Sequence, residues 1–366
     1  NDRIAFHPGY YIKEIIDDSG ITQEDFAKRL DTTPKNLSVL ISGEQKLSID
    51  IAMKLSRMLG TSIEYWLNLQ KEYDTIIAEF ESEQLMVEER KLFKKLDYKY
   101  FRDNFKLPDF PRKIDEQIKA VREFLDVSTL SVFNRRDIAV SFRESASGLN
   151  QINTIKANIM VQIAINKTLQ IDAPKFNRKK FNDAIEYALT LTMEHEKFYP
   201  KIYTKFKEAG VVLVILPNLS GSKINGATKK IGDNIMLMVN DRRMYSDTFW
   251  FTLLHEIGHI INKDYGISFE KEIGEQEQAA DEYAANKLIP AQAYEEFLEN
   301  KQFNKYAICE FAEKIRRDPA IVLGRLQKDK IVPYDDRELN GLKHKYRVKI
   351  TLKDGDEIII KFAYLE

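Results

Sequence analysis

Through the first third of the chain, apolar residues recur at three- and four-residue intervals, the spacing of one helix face. The pattern predicts helices over Tyr10 to Asp17, Gln23 to Leu30, Pro34 to Ile41 and Ser48 to Leu59, then a short helix from Thr61-Ser62 through Trp66. Punctuation agrees with each one. Ser19-Gly20 breaks the first, Thr22 can cap the second with Asp25 at the capping-box position, Asp31-Thr32-Thr33 makes a tight turn, and Gly43 and Gly60 close the next two. Helical spacing continues over Tyr73 to Lys99, Ile114 to Leu125, Ile152 to Leu169 and Asn177 to Met193. The two prolines of Phe105 to Arg112 mark a connection, and Ser128 to Phe133 and Phe142 to Gly148 read as short connecting pieces.

The period changes after Gly210. Val211 to Leu216 is a β-branched run stopped by Pro217, and Asp233 to Asn240 is a second strand. Ser220-Gly221 and Asn225-Gly226 between them read as turns. Phe249 to Ile261 is apolar nearly throughout and predicts a buried helix. Tyr306 to Lys330 returns to a helix-turn-helix-like pattern with no basic face, a scaffold with Cys309 on its apolar side. Tyr346 to Tyr364 alternates around Asp354-Gly355, which suits a hairpin. The expectation is a multidomain chain, mainly α with α+β. It divides into a helix-turn-helix domain at 1–75, a helical linker region at 76–170, an α+β core at 171–300, and helices plus a β-hairpin at 301–366.

Set into the apolar helix are His255, Glu256 and His259. Positions four apart share a helix face, so two imidazoles there can bind one zinc ion, with Glu256 placed as general base. This is the H-E-x-x-H arrangement. Gly258 costs helix stability, which points to a neighbour or a metal needing the space. The sequence has five histidines, so a carboxylate third ligand is the simpler expectation. Glu277 and Asp281 lie i,i+4 downstream. Glu277 can complete the site and Asp281 can orient a ligand histidine, while Ala280 and Ala284 allow close helix approach. Glu275 and Glu282 compete for the ligand role. His195, flanked by charges, reads as a surface helix end.

Composition adds bounds. A net charge of -1 argues neither for nor against nucleic acid. Locally, residues 246–299 hold 12 acidic and 3 basic residues, which suits a cation site and disfavours nucleic acid on that face. Residues 91–136 hold 12 basic and 7 acidic, read as a solvated helix face. One cysteine fits a reducing cytosol, and neither a leader nor a membrane-length apolar run is evident, so a bacterial cytosolic location with no membrane contact is expected.

Two resemblances follow. Thr22-Gln23-Glu24-Asp25-Phe26-Ala27-Lys28-Arg29-Leu30 with Asn36-Leu37-Ser38 and Leu40-Ile41-Ser42-Gly43 resembles the repressor-type helix-turn-helix family. His7-Pro8-Gly9 and Gly60-Thr61-Ser62-Ile63-Glu64-Tyr65-Trp66 narrow it to the branch similar to HigA-type antitoxins. It implies that Lys35, Asn36 and Ser38 face bases of double-stranded operator DNA while Gln23 and Thr33 touch phosphates. A homodimer and a cognate toxin are the associated partners. The net charge of -2 over residues 1–70 leaves a role in protein contacts open.

The second resemblance spans about residues 176–325 and is to the ImmA/IrrE metallopeptidases. It rests on the two strands around Asn225-Gly226-Ala227, on Arg242, on Asp247 to His259, on Glu277 to Ala284, and on Leu288-Ile289-Pro290. It implies a zincin core of the gluzincin kind that binds one Zn2+ and cleaves helix-turn-helix repressors or antitoxin-type proteins. The strand with Ile235, Leu237 and Val239 is expected to be the sheet edge that receives substrate backbone. Tyr265 and Tyr283 are candidates for stabilising the oxyanion. The alternative is a DNA-binding antitoxin or autorepressor whose zincin domain serves as a sensor or partner-binding module.

Overall fold

The computed structural model describes residues 4–135, 150–243, 245–269, 274–353 and 357–364, with the backbone alone over 349–364. The expected connection at Phe142 to Gly148 and the hairpin tip at Asp354-Gly355 lie outside them. The chain divides into two compact units, 1–89 and 90–366.

The first unit is helical: α1 (Pro8–Ser19), α2 (Gln23–Arg29), α3 (Pro34–Ile41), α4 (Ile49–Leu59) and the start of α5 (Ile63–Phe93). Side-chain caps set the starts. His7 Nδ1 accepts from the Gly9 amide, Thr22 from Asp25, Thr33 from Asn36 and Ser48 from Ile51. Gly20 and Gly60 end α1 and α4 in the left-handed conformation. Gly9 has a packing reason, because a Cβ there would sit 2.1 Å from the Leu40 carbonyl oxygen of α3. The core gathers Ile12, Phe26, Leu37, Leu55 and Trp66. Trp66 donates its indole N–H to Thr61 Oγ1 at 2.8 Å, and Gln70 Oε1 accepts from the Leu47 amide at 2.8 Å. The helix expected to stop near Trp66 instead runs on through Phe93, because no glycine or proline interrupts Ile63–Phe93.

The second unit opens with α6 (Tyr98–Phe105), α7 (Ile114–Leu125), a 3₁₀ turn at Leu130–Asn134, α8 (Gln151–Leu169), α9 (Arg178–Leu189) and α10 (Phe198–Glu208). A four-stranded sheet follows, from β1 (Val211–Leu216), β2 (Ile224–Ile231), β3 (Asn234–Asn240) and β4 (Gly266–Phe269), in the order β1-β3-β2-β4. β1 and β3 are parallel, while β2 runs antiparallel to both β3 and β4. Helices α11 (Ser246–Asn262) and α12 (Glu275–Leu288) flank β4 in sequence. Helices α13 (Ala291–Glu299), α14 (Lys305–Lys314), α15 (Pro319–Lys328) and α16 (Arg337–Asn340) come next, and the hairpin β5 (Tyr346–Lys353) with β6 (Glu357–Tyr364) closes the chain.

Two strand readings are corrected. Asn225-Gly226 is not a turn but lies inside β2, at a register irregularity between Ile224 and Gly226. β3, with Ile235, Leu237 and Val239, is an interior strand, bonded to β1 on one side and to β2 on the other. Its backbone groups are consumed by the ladder, so it cannot receive a substrate strand. These three side chains lie in the core shared with Trp250, Leu253 and Leu254 of α11. The sheet thus forms a floor under α11, and α14 and α15 contribute Phe311, Ala312, Val322 and Leu326 to the same core.

Candidate metal centre

α11 is buried along most of its length, with His259 and Glu256 at 0% exposure and His255 at 7%. Its turn geometry puts both histidines toward α12. Close approach of the two helices is possible because Gly258 faces Ala280, where a Cβ would meet the Ala280 Cα at 3.1 Å. α12 then delivers Glu277 from its first turn, also 7% exposed.

Three donor side chains converge. The two Nε2 atoms of His255 and His259 are 3.0 Å apart, His255 Nε2 is 3.1 Å from Glu277 Oε2, and His259 Nε2 is 3.4 Å from Glu277 Oε1. A tetrahedral zinc with bonds of about 2.0–2.1 Å sets its donors about 3.3 Å apart. The far nitrogens are turned outward and held. His255 Nδ1–H donates to Asp281 Oδ1 at 2.8 Å, and His259 Nδ1–H donates to Asp264 Oδ1 at 3.0 Å. Each carboxylate fixes a tautomer that leaves Nε2 as the donor atom for a metal. Burial alone depresses the His255 imidazole, but Asp281, Glu277 and Glu256 together raise it to about 10. A cation is thus favoured at this point. The donor set fits zinc.

Glu256 stands beside this cluster with both carboxylate oxygens buried and without a hydrogen-bond partner. Leaving a buried polar group unsatisfied costs about 1–3 kcal/mol, and more when it is charged. Space for it comes from β2, since a Cβ on Gly226 would lie 2.5 Å from Glu256 Oε1. Glu275 and Glu282 are solvent-exposed on α12 and join no ligand group among the described residues, whereas His255, His259 and Glu277 form one.

A cavity of about 780 Å³ reaches the centre, with His255, Glu277 and Asp281 in its wall. Its rim differs from the acidic face expected from residues 246–299. Arg243, Arg325, Lys328, Lys343 and Lys345 also line it, supplied by segments distant in sequence. Lys328 Nζ lies 3.0 Å from Asp281 Oδ2 and 4.1 Å from the centre of the Phe251 ring. Tyr265 and Tyr283 are absent from the wall, and Tyr245 and Tyr334 are present. Burial raises Tyr283 to about 12, and its charged neighbours are Glu186 and Arg178.

Asp264, Gly226, Lys328 and the two wall tyrosines were not evident from the sequence. A signal existed for Asp264. It follows the left-handed Lys263 that ends α11, and its amide bonds back to the His259 carbonyl, which folds its carboxylate under that ring. His195 is not a surface helix end. It is half-buried between α9 and α10, 2.7 Å by Nδ1 from the Tyr346 hydroxyl, and its ring lies 3.8 Å from that of His344. Burial and His344 lower its pKa to about 4.

In the first unit, Gln23 is the first residue of α2, and Thr33 to Ser38 begin α3. Gln23, Lys35 and Ser38 are exposed. Thr33 spends its hydroxyl as the α3 cap, and half-buried Asn36 donates its amide to Thr32 Oγ1 at 2.9 Å. No described helix is long and apolar enough to cross a membrane.

Two building blocks are therefore joined in one chain, a helix-turn-helix domain and a domain of metallopeptidase-type fold. The Helix-turn-helix family profile matches residues 12–66, and the IrrE N-terminal-like domain profile matches residues 206–314. Residues of the first domain are 35% identical over 79 positions to the uncharacterized HTH-type transcriptional regulator YddM of Escherichia coli, covering 84% of that protein and 21% of this chain. They are 44% identical over 69 positions to virulence-associated protein A' of Dichelobacter nodosus, covering 60% of it and 19% of this chain. Among solved structures, Pseudomonas aeruginosa PA4674 in complex with its operator DNA aligns at 24% identity. That alignment covers 22% of this chain and 90% of that one, with a TM-score of 0.22. The chain belongs to the helix-turn-helix family through its first domain and carries an ImmA/IrrE-type domain fused behind it.

Proposed function

We propose that the protein is a zinc endopeptidase that regulates transcription by cutting a helix-turn-helix repressor or antitoxin-type protein, and that its own first domain reads operator DNA. One observation carries the reading. Three metal-competent side chains converge, and beside them lies a buried glutamate with neither oxygen bonded. A purely structural metal site has no use for that glutamate.

His255, His259 and Glu277 would hold the ion, with Asp281 and Asp264 fixing the two rings. The chemistry supplied by zinc in that position is Lewis acidity, which acidifies a water and polarises a peptide carbonyl. Glu256 takes the proton from the attacking water and delivers it to the leaving amine. Burial keeps its carboxylate clear of competing solvent. The cavity above the centre admits the peptide.

Operator binding would run through Lys35 and Ser38, which are exposed one turn apart on α3, and Gln23, exposed at the start of α2, would meet a phosphate. A homodimer on a two-fold operator and a cytosolic location go with that reading. The test is cleavage of a purified helix-turn-helix repressor by the full chain, as purified, after chelation, and after zinc is restored. Cleavage lost and regained with zinc is expected. Equal cleavage in all three would remove the metal from the mechanism, and none in any would leave the second reading, a DNA-binding autorepressor or antitoxin with a partner-binding zincin domain.

A further inference from the structure

A second group of metal-competent side chains lies apart from the first. His195 comes from the segment between α9 and α10, Asp318 caps α15, and His344 precedes β5. One donor atom from each lies within 4.8 Å of the other two. We propose that His195, Asp318 and His344 bind a second divalent first-row transition-metal ion of the zinc class. Its role is to pin the C-terminal segment to the core.

Four observations carry it. Asp318 is fully buried and uses Oδ1 to cap α15 through the Ala320 amide at 2.9 Å, while its Oδ2 is buried and makes no hydrogen bond of good geometry, with the Ser246 hydroxyl and the Asp247 carboxylate as its polar neighbours. That oxygen lies 3.6 Å from His195 Nε2. A tetrahedral ion with bonds of about 2.0–2.1 Å sets its donors about 3.3 Å apart, and this pair lies within a few tenths of an ångström of that spacing. His195 Nδ1 is engaged by the Tyr346 hydroxyl at 2.7 Å, which fixes the ring and leaves Nε2 as the inward donor. Finally, the rings of His195 and His344 lie 3.8 Å apart, so both reach the same small volume.

Two imidazoles and one carboxylate select zinc, iron or a similar ion over magnesium or calcium, which prefer all-oxygen shells. The location explains a use. The His344 carbonyl accepts from the Ser246 amide at 2.9 Å, at the first residue of α11. Tyr346 belongs to the same core as Phe249 and Trp250. An ion held here joins three segments far apart in sequence, next to the start of the helix that carries His255 and His259.

The test is zinc stoichiometry by elemental analysis after equilibration with zinc chloride and desalting, with circular dichroism to verify folding. His255→Ala with His259→Ala removes the first centre and leaves this one. The expected result is one zinc per chain in that variant, falling to none when His344→Ala is added. Asp318→Asn in the same background keeps the Oδ1 cap and removes the anionic donor. It is expected to weaken zinc binding by more than the roughly 10–100-fold that loss of an outer partner costs. A folded His255→Ala, His259→Ala protein with no zinc would overturn the proposal, as would a bound ion indifferent to both His344→Ala and Asp318→Asn. Failure of the peptidase reading leaves these outcomes unchanged, because neither centre is needed for the other's measurement.

Discussion

Gly226→Ala is the perturbation most closely set by the geometry. The added Cβ would lie 2.5 Å from Glu256 Oε1 and 2.6 Å from both its Cδ and Cγ. Carbon contacts settle at about 3.5–4.0 Å, so roughly 1 Å of overlap must be relieved against a side chain that is itself buried. β2 is bonded on both sides, to β3 and to β4, so the carboxylate yields before the strand does. Overpacking of this kind costs about 1–3 kcal/mol, or a fall of about 2–10 °C in Tm for a unit of this size. A catalytic group displaced by about 1 Å loses on the order of 10²-fold in rate. The assay is repressor cleavage by zinc-loaded protein, with bound zinc measured in the same sample. Zinc should stay at the wild-type level while cleavage falls. Gly258→Ala is the contrast. Its Cβ meets Ala280 Cα at 3.1 Å, a smaller overlap, and the helix gains about 1 kcal/mol from losing a glycine. Its stability should stay within about 1 kcal/mol of wild type. Full activity in Gly226→Ala would refute the placement of Glu256 as the base held against β2.

Other outcomes follow from single contacts. Asp264→Asn removes the charged acceptor of the His259 ring and should weaken zinc binding about 10–100-fold, read by competition with a chromogenic chelator; unchanged affinity would discard its orienting role. Lys35→Ala with Ser38→Ala should lower operator affinity by about 1–3 kcal/mol and relax discrimination at the bases they face, measured by titration on the operator and on base-substituted operators; unchanged affinity and discrimination would remove base reading by α3. The first unit should lose stability in acid. Burial lowers the His7 pKa below the ordinary imidazole value of about 6.5, and the neutral ring is the one that accepts from the Gly9 amide. Stability from this cap is therefore complete above pH 6.5 and is lost as pH falls through the lower folded value. His7→Asn, which keeps an acceptor and does not titrate, should flatten that dependence in thermal melts of the full chain.

What the sequence made legible follows from how local each signal is. The Thr22 cap and the Gly60 stop act within about one helical turn, so both could be read directly, whereas Thr33 read as part of a turn and Ser48 as the first residue of α4 before the structure showed both as caps. Close packing of α11 on α12 was foreshadowed by Gly258 and by the alanines four apart at 280 and 284. Strand order was not legible, because β3 owes its interior place to partners on both sides and its own residues read the same at an edge. Asn225-Gly226 misled because the pair is a strong turn signal. Its glycine serves instead to clear space for a side chain on another element. His195 misled in the opposite way. Its neighbours in sequence are charged, but its burial is supplied by residues at 318, 344 and 346. The basic rim of the cavity was hidden for the same reason, its lysines and arginines coming from 243 and from 325–345.

The central claim is that Glu256 moves the proton in a reaction for which His255, His259 and Glu277 hold the metal. Glu256→Gln tests it with almost no change in shape. The expected outcome is a folded protein with the wild-type complement of zinc and a single-turnover cleavage rate lower by about 10²–10⁴-fold. Cleavage at the wild-type rate by zinc-loaded Glu256→Gln would contradict it.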